Sequence, residues 1–128
     1  MNHKNVYITD KFVSAKEINL KVDLVVCHGG QGTLQTAITS GTPLVGVANQ
    51  PEQKINLEHL DDFGMAIRIP KRKWKKHVIQ KCVEKIILNI DTYTEKANEL
   101  KALSEKINTK EIIGKRIWEE IKTLRRIE

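Results

Sequence analysis

At 128 residues the chain has room for one compact domain, which can bury roughly two thirds of the surface its unfolded form exposes. A content of 40% hydrophobic and 30% charged residues, with 7 Gly and 3 Pro, excludes disorder and low-complexity character. The net charge of +6 is uneven: residues 1 to 70 hold 6 Lys/Arg against 7 Asp/Glu, and residues 71 to 128 hold 16 against 9. Lysine-rich solvated helices account for that asymmetry more simply than an anionic partner does. No apolar run approaches the roughly 20 residues of a membrane span. The opening Met1-Asn2-His3-Lys4-Asn5 is not followed by a signal-peptide apolar core, so a cytoplasmic protein is expected. Cys27 and Cys82 match no zinc or disulfide spacing and are expected to be reduced core thiols.

In chain order, Val6-Tyr7-Ile8-Thr9 is a strand candidate, and Asp23 to Cys27 is a continuous apolar run of the kind found in parallel strands covered on both faces. A helix is predicted over Thr33 to Ser40, stopped by Gly41 and Pro43. Next come a strand at Leu44 to Ala48, a loop at Asn49 to Glu52, a helix at Gln53 to Phe63 closed by Gly64, and a strand at Ala66 to Ile69. From Trp74 onward the apolar residues recur at the helical period, as in Val78, Cys82 and Ile86, then Tyr93, Ala97 and Leu100, then Ile113, Ile117 and Ile121. The expected architecture is α/β: a partial Rossmann-like parallel sheet of about four strands, followed by three amphipathic helices. Such a chain has the shape of the second half of a doubly wound domain.

Strand, then His28-Gly29-Gly30-Gln31-Gly32-Thr33, then helix, has the local anatomy of an anion site. Glycines let the backbone approach a phosphate, and the first amides and the dipole of the helix favour negative charge. Thr33 can cap the helix or bond a phosphate oxygen, and His28 stands at a strand's carboxyl end, where open α/β sheets keep their ligands. The segment is neither a Walker A loop, lacking Gly-Lys-Ser/Thr, nor the GxGxxG dinucleotide fingerprint, lacking the third glycine. By itself such a turn serves structure as often as binding.

The stretch from Asp23 to Gly64 closely resembles the signature of the UDP-glucuronosyl and UDP-glucosyltransferases. It has the strand, the HGGxGT turn at His28 to Thr33, the G-x-P of Gly41 and Pro43, the acid-amide pair Glu52-Gln53 and the later Asn56, without a gap. Phe12-Val13-Ser14-Ala15 stands in the place of the family's base-facing segment, and Asp91-Thr92-Tyr93 with Ala97 resembles its late helical region.

The resemblance implies half of the carboxyl-terminal, donor-binding domain of a GT-B glycosyltransferase, with a UDP-sugar as donor substrate and no cofactor. It implies that His28 bonds the α-phosphate, that Thr33 and the Gly29, Gly30 and Gly32 backbone hold the diphosphate, and that Glu52 and Gln53 bond sugar hydroxyls. Val13 would face the uracil through its main chain, with Phe12 giving an apolar surface. Two positions depart from the pattern: Thr36 stands where the family often has a ribose-binding Glu, and Ser14 where a proline is usual.

The resemblance further implies an inverting transfer in which this domain stabilises the leaving diphosphate. The sequence offers no Asp-x-Asp pair or His/Cys cluster for a metal, and His3, His59 and His77 are read as surface residues, so no catalytic residue is expected in this chain. The expected partner is an amino-terminal acceptor domain or a separate subunit, with self-association a further expectation for a partial sheet. The alternatives are a non-catalytic nucleotide-binding module and a basic membrane-associating domain whose helices end in Arg125-Arg126. Nucleic acid is disfavoured as a partner of the Lys71 to Lys76 run, which lacks a recognised binding fold.

Overall fold

The computed structural model describes residues 4–107 and 109–125, so Met1 to His3 and Arg126 lie outside the described residues. Three parallel strands, β1 (Val25–Cys27), β2 (Leu44–Gly46) and β3 (Ala66–Arg68), lie side by side in that order. Val25 is level with Leu44, and Leu44 with Ala66. The connections are α2 (Gln31–Ser40) and α3 (Pro51–Phe63), preceded by a short α1 (Ala15–Asn19). Bonds from Val47 N to the Cys27 carbonyl (3.0 Å) and from Ile69 N to the Gly46 carbonyl (2.7 Å) extend the ladders past the strand ends.

The pleat sends neighbouring residues to opposite faces, and the core divides accordingly. Leu44 packs with Leu34, Ala37, Leu57 and Leu60 of α2 and α3, and with Ala97 of α5 (Ile90–Lys106). Val45 faces the other way, onto Ile69 and Ile86, with Val78, Cys82 and Val83 of α4 (Lys76–Leu88) around them. Every residue of β2 is buried, as the uninterrupted apolar run requires. A third carboxyl-terminal helix, α6 (Thr109–Arg125), carries Ile112, Ile113, Ile117 and Trp118, all more than half exposed.

Glycine closes both crossover helices as the sequence indicates. Gly41 and Gly64 take φ of 70° and 95° and donate back to carbonyls of the last turn. At its start α3 has a capping box: Gln50 accepts from the Gln53 backbone amide, and Gln53 Oε1 accepts from Gln50 N at 3.3 Å.

Several boundaries differ from the sequence reading. Val6 to Thr9 is not a strand: Val6, Tyr7 and Ile8 are exposed and the sheet ends at β1, giving three strands among the described residues rather than about four. Alternating apolar residues mark a segment able to pair, but a strand exists only where a neighbour supplies the other half of the ladder. Helix α1 went unforeseen because five residues carry no periodicity. Its signal was the Ser14-x-x-Glu17 spacing, which the structure uses when Ser14 Oγ accepts from Glu17 N at 3.4 Å. Helix α2 begins at Gln31 with Gly30 as its cap, so Thr33 lies inside the first turn and does not cap it.

Candidate nucleotide-sugar site

The turn after β1 is shaped by two glycines with distinct duties. Gly29 has φ of 81°, and a Cβ there would meet Leu57 Cγ at 2.6 Å. At Gly30 an added Cβ would lie 2.7 Å from His28 Nε2, which places the imidazole over the turn, beside the helix start.

Gly32 differs from both. It occupies the second position of α2, and a Cβ there would meet nothing within 4 Å. Glycine in a helix costs about 0.5–1 kcal/mol relative to alanine, and here no protein atom requires it. The first bond of α2 is Leu34 N to the Gly30 carbonyl at 3.0 Å, so the amides of Gln31, Gly32 and Thr33 have no acceptor among the described residues. Three free amides at the positive end of a helix dipole, with open space over the middle one, form a cradle for an anion.

Two cavities flank that cradle. One, about 440 Å³ at the carboxyl ends of β1 and β2, is lined by Val26, Cys27, His28, Val47, Asn49, Lys71 and Trp74. The other, about 330 Å³ between α2 and α3, is lined among others by Gln31, Glu52, Asn56 and His59. His28 and Glu52 therefore line different cavities. His59, read from sequence as a surface residue, is exposed yet lines the groove that holds Glu52. The amide partner Gln53 is engaged by the backbone ahead of α3, with Oε1 accepting from Asn49 N at 2.9 Å, which leaves its NH₂ group without an acceptor among the described residues.

None of the residues assigned to the nucleobase and ribose side lines either cavity. Phe12 and Val13 stand 96% and 41% exposed ahead of α1, and Ser14 serves as its cap. Thr36 Oγ1 donates to the Thr33 carbonyl at 2.8 Å and lies 3.2 Å from the Asn19 amide nitrogen, which commits it to the α1–α2 contact. Lys71 and Trp74 were not legible as site residues, because only the fold brings the segment after β3 beside His28.

Cys27 adjoins His28, but burial pushes its thiol above the ordinary value of 9.0, with a backbone hydrogen bond from Gly29 opposing. A raised thiol pKa means stability that is complete below 9.0 and declines as the pH rises through the folded value. At neutral pH Cys27 is a protonated packing group rather than a nucleophile. Alkylation by iodoacetamide at pH 7.5 is expected to be slower in the native chain than in urea; equal rates would show an accessible thiolate.

The likeness to known proteins agrees with this geometry. The model of the erythromycin biosynthesis protein CIII-like carboxyl-terminal domain matches residues 4–117. The chain is 37% identical over 92 residues to UDP-glycosyltransferase 2 of Phaeomoniella chlamydospora, spanning 71% of this chain and 20% of that protein. To NDP-glycosyltransferase YjiC of Bacillus subtilis (strain 168) it is 26% identical over 89 residues, 70% of this chain and 23% of the relative. The solved structure of spinosyn forosaminyltransferase SpnP superposes with a TM-score of 0.68 at 15% identity, covering 83% of this chain and 29% of that one, a likeness of fold. The chain thus spans about a fifth to a quarter of the length of the curated relatives it matches. Matched over most of its length, with three parallel strands and a glycine turn at the head of α2, the chain belongs to the erythromycin biosynthesis protein CIII-like carboxyl-terminal domain family, the donor-side domain of GT-B glycosyltransferases.

Proposed function

We propose that this chain binds the diphosphate of a UDP-sugar at the start of α2 and acts as the donor half of an inverting glycosyltransferase. The observation that carries the proposal is the row of free amides at Gln31, Gly32 and Thr33, with empty space over Gly32 and the His28 ring beside it. A diphosphate matches that row in charge and in its number of acceptor oxygens. The Glu52 carboxylate, with the unengaged NH₂ of Gln53, supplies the acceptor and donor that sugar hydroxyls need.

In the transfer itself an acceptor oxygen attacks the anomeric carbon while the bond to the diphosphate breaks, and negative charge grows on the departing phosphate. Amides fixed by the helix and a hydrogen bond from His28 stabilise that charge without a metal, in the manner of an oxyanion hole. The acceptor and the base that takes its proton are supplied by an amino-terminal domain or a separate subunit. With Thr36 engaged by the Thr33 carbonyl, ribose hydroxyls are left to the backbone around Val13 or to that partner.

Calorimetry of the chain with UDP, UMP and UDP-glucose tests this reading. UDP and UDP-glucose should bind saturably, UMP about tenfold or more weakly for want of the second phosphate, and His28→Ala should weaken UDP by about tenfold. UMP equal to UDP, or a His28→Ala variant that binds normally, would refute the diphosphate assignment.

A further inference from the structure

The Lys71 to Lys76 run, which resembles a nucleic-acid strip in sequence, is divided by the fold. Lys71 and Arg72 open a 3-10 turn after β3, and Trp74 turns back to the His28 cavity. On the far side of Lys71 lies a cavity of about 710 Å³, between the Asn49–Pro51 loop and the Arg68–Arg72 segment. Its charged lining is Lys54, Arg68, Lys71 and Arg72, and no carboxylate lines it. A single acid, Glu58, serves two of the four cations, at 3.2 Å from Arg68 and 3.7 Å from Lys54. Lys71 and Arg72 make no ion pair among the described residues. The Arg68 side chain is only 24% exposed, so part of this charge is held away from bulk water.

Asn49 and Lys71 line both this cavity and the one that holds His28, so the two adjoin. A ligand held at His28 therefore has this cavity beside it. The geometry points to a second anion subsite here, separate from the diphosphate cradle, with Lys71 and Arg72 holding a carboxylate or phosphate borne by the sugar or by the acceptor. The subsite rests on the donor reading for its purpose but not for its chemistry. The charge excess and the shape stand whether or not UDP binds.

The Arg72→Ala variant changes one exposed side chain, which lines this cavity and not the one that holds His28, and should unfold at the wild-type temperature. If the anion rides on the sugar, UDP-glucuronate binds the wild type about tenfold more tightly than UDP-glucose, and the variant erases that difference. If it rides on the acceptor, UDP-saturated wild type binds glucose 6-phosphate and the variant does not. UDP affinity stays within about twofold of wild type in both cases. Neither anionic ligand responding to the variant overturns the subsite. So does a variant that weakens UDP as much as the anionic sugar, since the cavity would then hold the donor's own diphosphate. If UDP fails to bind at all, the donor reading falls, and glucose 6-phosphate titrated alone still tests the cavity.

Discussion

Gly32→Ala is expected to leave the protein folded and slightly more stable while removing most of its affinity for UDP. The stability gain, about 0.5–1 kcal/mol, follows from replacing a helical glycine whose Cβ direction is open. The loss follows from the same open space: a methyl group there stands where a phosphate oxygen must approach the amides. A fall in affinity of about 100-fold corresponds to roughly 2.7 kcal/mol, comparable to losing one or two charge-assisted hydrogen bonds. Thermal unfolding and calorimetry on the one variant read both effects. If Gly32→Ala binds UDP as the wild type does, the phosphate does not lie over this helix turn.

The largest loss of stability is expected at Leu57, whose side chain is fully buried on α3. It fills the space that a Cβ on Gly29 or on Gly46 would enter, so one side chain sets how closely α3 approaches both the turn and the central strand. Leu57→Ala should lower the free energy of unfolding by about 2–5 kcal/mol in urea titrations. Gly29→Ala should also destabilise strongly, through its φ of 81° and its collision with Leu57. In the double variant the collision is relieved, so the combined loss should fall short of the sum of the single losses. Strict additivity would mean that only the backbone conformation matters at Gly29.

Much of this was legible in the sequence because local chemistry and tertiary structure agree there. Leu44 to Gly46 reads as a buried parallel strand and is one, and Gly41 and Gly64 end their helices in the left-handed conformation glycine favours. The head of the HGGxGT motif, His28 to Gly30, lies between strand and helix, with His28 at a strand's carboxyl end. The sequence points to a helix start at Thr33 rather than Gln31 because Gly32 is a poor helix former; its position inside α2 is what exposes its amide. Lys71, Trp74 and Arg68 join the region of His28 only because β3 runs parallel to β2 and delivers the following segment to the same end of the sheet. No spacing within the chain encodes that meeting. Val6 to Thr9 shows the converse, a strand-like pattern without a neighbour to pair with.

Backbone amide chemical shifts, followed by NMR as UDP is added to the isotopically labelled chain, test the donor assignment most directly. If the diphosphate rests on the head of α2, the largest changes fall on Gly29 to Thr33 and saturate with one dissociation constant matching calorimetry. Shifts confined to Arg68 to Lys76, or absent throughout, would contradict that placement.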